Sequence, residues 1–321
     1  MIKILVSGVG GDVAQGVIKC LQQSKLKTKI YKIASSVEES WLHVDENCYL
    51  SPRVDSKEYL DYLYDFILQH KIDVFIPCVD SEIYKISLFA NKIHNITKCK
   101  VIVGDIDKIK ICEDKFKTYE FLKDNDFCYP ETFLSKEDKK INFPSILKTR
   151  SGSGSKNIYE ICNKDQLKSH IFEDNMILQE KLEGDEYTAG VYLGKDKQIK
   201  GVCIFKRKLK NGSTNFAERI IDKNIELYIC KIAKKLDLTY VNIQFKLKNN
   251  LPCPFEFNGR FSGTTGFISK VFNAPDLWLR ENFLNQKIEK QSNLDKFYVM
   301  RYAEEIYATQ EEMINLIERS K

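Results

Sequence analysis

Histidine is scarce in this chain: four in 321 residues, at positions 43, 70, 94 and 170, none inside a motif. A catalytic triad built on histidine is therefore not expected. The ten cysteines, from Cys20 to Cys253, form no CxxC pair and no Cys/His cluster. That argues against structural zinc and a disulfide framework, and for reduced, mostly buried thiols in a cytosolic protein. No stretch approaches the ~20 apolar residues that cross a bilayer. Residues 1–6 are apolar but stop at Gly8, too early for a signal-peptide core. The expected location is the cytoplasm. The net charge of +5 comes from scattered lysines, without a basic block or tail. Neither nucleic acid nor a membrane is an expected partner.

What remains is ordinary for a globular protein, with 43% hydrophobic and 30% charged residues. The length allows two or three subdomains of roughly 100–150 residues. Strands are expected at 2–6, 31–34, 74–77 and 101–103, alternating with helices at 12–22, 58–69 and 81–93. Such alternation predicts a parallel α/β layer. The turn at Gly8 and Gly10 begins a dinucleotide fingerprint but does not complete it. Val13 stands where the third glycine belongs, and Ala34-Ser35-Ser36 replaces the acidic residue after the second strand. A tight strand–helix turn is the preferred reading. Residues 7–15 and 80–82 follow strands, where α/β folds place ligands.

Further on, residues 105–123 read as one helix, and 125–180 as a small lid of strands with a helix at 166–172 capped from Asn163 and Asp165. Paired strands follow at 189–193 and 199–205, then an amphipathic helix at 223–236. A helix is expected at 277–283, closing strands at 297–302 and 304–307, and a terminal helix at 310–319.

The most informative residues are Gln244, Glu256, Asn258 and Arg260. On a strand, residues two apart share a face. Glu256 and Asn258 therefore point the same way, and Gln244 meets them from a neighbouring strand. One acid and two amides suit a hard cation such as Mg²⁺. Arg260 could hold a phosphate or carboxylate. A hairpin with polar residues at its mouth is the alternative. Cys253 lies close by, but thiolate suits softer metals, and it is read as packing. Upstream, Lys148 ends an apolar strand before Ser151, Gly152, Ser153, Gly154 and Ser155. Such a loop lays main-chain N–H groups on phosphate oxygens, and a buried lysine needs an anion. The stretch Gln179, Glu180, Lys181, Leu182 leads through Gly184 to Glu186, as a hinge or an ordinary hairpin. Lys115 could be a solvated surface lysine, and Lys206-Arg207-Lys208 a solvated basic run.

In order and spacing, Asp114-Lys115, the Lys148 loop, the 179–186 hinge, Lys206-Arg207, Gln244 and the Glu256–Arg260 motif resemble the ATP-grasp superfamily, in its carbamoyl-phosphate-synthase-large-subunit-like branch. The resemblance covers nearly the whole chain. It implies an α/β protein with a Rossmann-like pre-ATP-grasp domain over 1–110, walling a substrate cleft without binding NAD. An α+β ATP-grasp module over 111–321 follows, with a mobile lid at about 125–180. It implies Lys115, Lys148 and the 151–155 loop on ATP phosphates, main chain from Gln179 to Leu182 at adenine, and Glu186 at ribose. Gln244, Glu256 and Asn258 would hold one or two Mg²⁺, with Mn²⁺ as a substitute. Lys148, Arg207 and Arg260 are the implied catalytic residues. Gly259 departs from the family pattern, which has proline there. The implied chemistry is ATP-driven carboxylate–amine ligation through an acylphosphate, releasing ADP and phosphate. The implied partners are a small carboxylate and an amine, with a homodimer left open. A kinase without ligation and a non-catalytic nucleotide-binding protein are the alternatives. A complete carbamoyl-phosphate synthase is not expected from one grasp module. Amino acids, peptides and sugar acids all remain open as substrates.

Overall fold

Ile2–Ser7 reads IKILVS, and its last four residues are buried, as in a strand covered on both faces. It is β1 of the computed structural model, which describes residues 1–138, 140–152 and 157–320. The chain divides into two units, one of residues 1–106, 260–292 and 301–321, the other of residues 107–259 and 293–300. Segments 260–292 and 301–321, expected with the second domain, thus group with the first.

In the first unit, β1 joins β2 (Thr28–Ala34), β3 (Cys48–Leu50), β4 (Val74–Ile76) and β5 (Lys100–Val101) in a parallel sheet ordered β3-β2-β1-β4-β5. Three helices follow from the sequence pattern: α1 (Asp12–Gln23), α2 (Tyr59–His70) and α3 (Asp80–Thr97). Leu5, Ile33 and Phe75 of the sheet pack with Leu63 and Phe66 of α2 and Ile86 of α3. The strand order reverses between β1 and β4, so the loops after them sit side by side at a switch point. There Ser7 Oγ accepts from the Cys78 N–H at 3.1 Å. Gly8 has φ +63°, and a Cβ on it would stand 2.4 Å from Val79 Cγ2, so a side chain is excluded twice over.

The second unit opens with α4 (Ile106–Glu113) and α5 (Lys115–Asp124). The single helix expected over 105–123 is thus two. Asp114 leaves the helical conformation at φ −111°, ψ 108°, and its side chain accepts the N–H groups of Phe116 and Lys117 as an N-cap. Four strands, β6 (Thr132–Phe133), β7 (Ser145–Thr149), β8 (Tyr159–Ile161) and β9 (Met176–Glu180), form an antiparallel sheet ordered β6-β9-β7-β8. The helix α6 (Lys164–Ser169) starts at Asn163, whose side chain accepts from Gln166 N–H as its cap. Leu147, Ile161, Leu167 and Leu178 make a separate small core here.

β10 (Glu186–Leu193), β11 (Ile199–Lys210), β12 (Ser213–Ile220), β13 (Tyr240–Lys248) and β14 (Leu251–Asn258) follow, with α7 (Lys223–Leu236) between β12 and β13. They join β15 (Tyr298–Met300) in a six-stranded sheet ordered β14-β13-β10-β11-β12-β15. Ile225, Ile229, Ile232 and Ala233 are the buried stripe of α7, which packs on β10, β11 and β14. Residues 206–208 lie within β11, which runs on to a hairpin with the unforeseen β12.

α8 (Thr265–Ile268), α9 (Ala274–Trp278) and α10 (Gln310–Arg319) return to the first unit. The return is held at α1: Asn273 Nδ2 donates to Cys20 O at 2.7 Å, and a Cβ on Gly16 would meet Gly266 N at 3.1 Å. The helix expected at 277–283 begins earlier, at Ala274, and turns into a π-helix over Leu279–Phe283. The strand expected at 304–307 does not form. Those residues are exposed, and β15 takes the edge of β12. No described helix is long and apolar enough to cross a membrane.

Candidate active site

Antiparallel pairing puts the polar residues of the six-stranded sheet on one face. Glu186 stands opposite Arg207, Thr188 opposite Gln244, and Gln244 opposite Glu256. Asn258 follows Glu256 two residues on and donates to its Oε1 at 3.3 Å. Arg207 is central: Nε and Nη2 reach Glu186 Oε1 at 2.9 and 2.5 Å, and Nη2 also reaches Gln244 Oε1 at 2.7 Å. Asn242 fixes Thr188 beside them, Nδ2 to Oγ1 at 2.8 Å. The expected trio Gln244, Glu256 and Asn258 is thus brought together, with oxygen atoms as its donors. Among the described residues no group of three or more His, Cys, Asp or Glu side chains is placed for a metal. A cation here would rest on one carboxylate and two amides, a donor set of the hard, oxygen-bearing kind that fits Mg²⁺.

Lys148 comes to this face from β7. Only 7% of its surface is exposed, and its Nζ donates to Gln179 Oε1 at 2.7 Å. Gln179 in turn donates to Thr132 Oγ1 at 2.9 Å. The ammonium also stands 5.6 Å from the Phe255 ring centre. Burial pushes the Lys148 pKa down to about 8, and the Lys115 charge adds to this, while Glu256 and Glu186 pull it back up. Four of the expected residues therefore feel one another electrostatically.

Lys115 is buried, and its Nζ donates to Gly152 O at 2.9 Å. Asp114 accepts a two-pronged pair from Arg150, Nε to Oδ1 at 2.8 Å and Nη2 to Oδ2 at 2.7 Å. This pair and an isolated bridge from Asp114 to Ser151 pin the start of the loop to α5. Ser153, Gly154 and Ser155, expected on phosphates, lie outside the described residues.

Along the hinge, Gln179 spends its side chain on Lys148, and Glu180 pairs with Lys248 at 2.6 Å. Lys181 pairs with Glu160 at 2.8 Å, and the Leu182 carbonyl accepts from Lys246 Nζ at 2.9 Å. Two lysines of β13 thus hold this segment.

Arg260 groups with the first unit, where Asp80 accepts from its guanidinium and Nη1 donates to Phe261 O at 2.7 Å. At the same sheet edge Arg301 donates to Asp12 Oδ2 at 2.7 Å. Glu82, one of the loop residues expected to face a ligand, instead points inward. It is wholly buried and accepts from Ser7 Oγ and Tyr59 OH, and burial raises its pKa. Gly259 has a packing reason rather than a conformational one: a Cβ there would stand 2.8 Å from Ile109 Cδ1 and 3.2 Å from Cys112 Sγ.

Thr132, Arg150 and Phe255 belong to this arrangement without having been anticipated. Arg150 carried a usable signal, an arginine two residues past Lys148 with Asp114 awaiting a partner. Phe255 did not. Simple alternation turns it away from Glu256, but the β13–β14 register shifts between Gln244 and Phe245, which leaves Phe255 as the extra residue of a bulge.

Residues 112–264 match the family model of the ATP-grasp domain. An uncharacterized protein of Mycoplasma genitalium is 32% identical over 158 residues, 46% of this chain and 53% of that protein. A carbamoyl-phosphate synthase of Methanobrevibacter smithii is 25% identical over 132 residues, 39% of this chain and 36% of that one. The chain thus spans about half and about a third of these relatives. Among solved structures, N5-carboxyaminoimidazole ribonucleotide synthetase with ADP superposes with TM-score 0.72 at 12% identity, covering 92% of this chain and 80% of that one. The Staphylococcus aureus N5-carboxyaminoimidazole synthetase with ADP gives 0.71 at 17%, covering 94% and 82%. An L-amino acid ligase from Bacillus licheniformis gives 0.65 at 13%, covering 88% and 74%. At these identities the likeness is one of fold. The domain match makes residues 112–264, just under half of the chain, an ATP-grasp domain, and the chain as a whole shares the fold of these neighbours.

Proposed function

We propose that this protein is an ATP-dependent carboxylate–amine ligase that forms an amide through an acylphosphate and releases ADP and phosphate. The observation that carries this reading is Lys148, a buried ammonium whose direct partner is a neutral amide. Burying an uncompensated charge is costly. The cost is offset when an anion such as a nucleotide phosphate arrives. The fold neighbours include a synthetase in complex with ADP and an L-amino acid ligase, which agrees with that role.

Phosphoryl transfer is mostly positioning plus charge neutralisation. In this reading Lys148 and Lys115 hold phosphate oxygens of ATP, and loop 151–155 adds main-chain donors. The hinge main chain from Gln179 to Leu182 meets the adenine edge. Both Arg207 bonds to Glu186 fall on Oε1, which leaves Oε2 for a ribose hydroxyl. Gln244, Glu256 and Asn258 would hold Mg²⁺, which when bound supplies positive charge at the phosphates. Arg260 steadies the anionic carboxylate or acylphosphate, and Arg207 keeps Glu186 and Gln244 in place. The substrate carboxylate attacks the γ-phosphorus and ADP leaves. The amine then adds to the acyl carbon and expels phosphate. No protein base is required, in keeping with the absence of a motif histidine.

The test is an ADP-release screen over a grid of carboxylates and amines with ATP and Mg²⁺, read by mass spectrometry. A ligase releases ADP over many turnovers only when both partners are present, with an amide of the summed mass less water. A phosphorylated product that accumulates over many turnovers from one partner alone would favour the kinase.

A further inference from the structure

The carboxyl edge of the parallel sheet carries an arginine and a glutamate that the phosphoryl transfer does not use, both in the first unit. The arginine is Arg301. Its Nη1 donates to Oδ2 of Asp12, at the start of α1, at 2.7 Å, and its Nη2 donates to Gly263 O. Gly263 is small for a reason, since a Cβ there would run into Asp12 Oδ2. The guanidinium also lies 5.0 Å from the Phe267 ring centre. A carboxylate, a carbonyl and a ring thus fix its direction.

The glutamate is Glu39, on the loop after β2, which comes down on Gly10, two residues before Asp12. A Cβ on Gly10 would run into Glu39 Oε2. The Glu39 carboxylate has no hydrogen-bond or ion-pair partner among the described residues; only its main chain is bonded, to Ser36 and Leu42. The loop after β4 adds Asp80, which accepts from Arg260. The loops after β1 and β4 touch at Gly8 and Val79, so these groups share one mouth at the switch point.

Charge decides what such a mouth takes. Arg301 offsets Asp12 and Arg260 offsets Asp80, which leaves Glu39 as one uncompensated carboxylate. That suits an ammonium. A guanidinium has five N–H groups, and the bonds to Asp12 and Gly263 engage two of those on Arg301. The others remain for a carboxylate, in the fork geometry that suits one. Gly10 and Asp12, which carry the two groups, lie at most about 7 Å apart along the chain. That span fits a short zwitterion better than a long peptide, and a sugar acid brings no ammonium.

We propose that this mouth binds an α-amino acid as its zwitterion, the ammonium on Glu39 and the carboxylate on the spare donors of Arg301. Its role rests on the ligase reading: this amino acid is the amine partner. Its carboxylate is a spectator on Arg301, and its nitrogen, once a proton has passed to solvent, is the group left to be acylated.

Saturation-transfer NMR on the full-length chain without nucleotide, with each of the twenty standard amino acids in turn, finds the binder. Calorimetry then compares that amino acid with its primary amide, which lacks the carboxylate, and its 2-hydroxy analogue, which lacks the ammonium. On the wild type each analogue should bind about tenfold to a hundredfold more weakly, the loss expected for one charge-assisted hydrogen bond. On Arg301→Gln the amino acid and its amide should bind alike. On Glu39→Gln the amino acid and its hydroxy analogue should bind alike. Each variant should keep the other discrimination, which a chain that merely failed to fold would lose as well. Arg301→Lys, which keeps a cation beside Asp12, should narrow the amide discrimination without lowering Tm. Discrimination that survives unchanged in these variants, or binding of none of the twenty, would overturn the subsite while leaving the ligase reading to the ADP screen. If the crossed pattern is found but the amino acid is never acylated in that screen, the subsite stands and its role as amine partner falls.

Discussion

Lys148 reaches across from β7 to β9 and donates to Gln179 Oε1 at 2.7 Å, with both residues buried. The partner is an amide, not a carboxylate, so the positive charge stays available for an anion. Thr132 fixes the amide by accepting from its Nε2, which turns the oxygen toward the lysine.

The first prediction is a pH effect. Lys148 in the free protein has a pKa of about 8, below its usual 10.5. kcat/KM for ATP should therefore fall as pH rises through about 8. Lys148→Arg should remove that limb, and Gln179→Glu should move it upward while raising KM for ATP. Stability has the opposite trend. Between about 8 and 10.5 the unfolded chain holds the proton that the folded one has lost, so resistance to urea should rise with pH there. A pH profile of kcat/KM that is flat from 7 to 9.5 would contradict the assignment.

Glu186 and Lys148 should differ in kind. Glu186→Ala removes a charged acceptor worth roughly 1.5–3 kcal/mol in ground and transition states alike. KM for ATP should rise with kcat little changed. Lys148→Ala should chiefly lower kcat, because the charge it meets shifts during transfer. Steady-state kinetics separate the two, and a pure KM effect in both would show the phosphates are misplaced.

Glu256 is the only charged member of its trio. Glu256→Ala should cost about a thousandfold in turnover, the equivalent of ~4 kcal/mol of transition-state stabilisation, and raise the Mg²⁺ concentration for half-maximal rate. Turnover near the wild-type value would remove Glu256 from the site.

Asp114 acts as N-cap of α5 and as partner of Arg150. Asp114→Ala should lower unfolding free energy by ~1–2 kcal/mol through the lost cap. Asp114→Asn, which keeps an oxygen for the cap, should lose less. Urea melts compare them, and equal stability in both would mean that the cap contributes nothing.

The polar face of the six-stranded sheet was legible because strand alternation is a fixed rule: Gln244, Glu256 and Asn258 needed only two strands to be found. The glycine loop and Lys148 were legible from burial against charge. Three features were not. The break at Asp114 was hidden because no glycine or proline stands between residues 105 and 124, and only the side-chain bonds to Phe116 and Lys117 show the cap. The return of residues 260–292 to the first unit depends on contacts such as Asn273 with Cys20, 253 positions apart, which local patterns do not encode. Phe255 over Lys148 depends on a bulge whose register only the paired strand reveals.

The central claim is that a carboxylate is activated by direct transfer of the γ-phosphoryl group. Isotope transfer tests it most directly. With the carboxylate found by the ADP screen labelled in both oxygens with ¹⁸O, one labelled oxygen should appear in the released inorganic phosphate, with ADP and amide formed in equal amounts. Unlabelled phosphate, or AMP and pyrophosphate in place of ADP, would contradict the account.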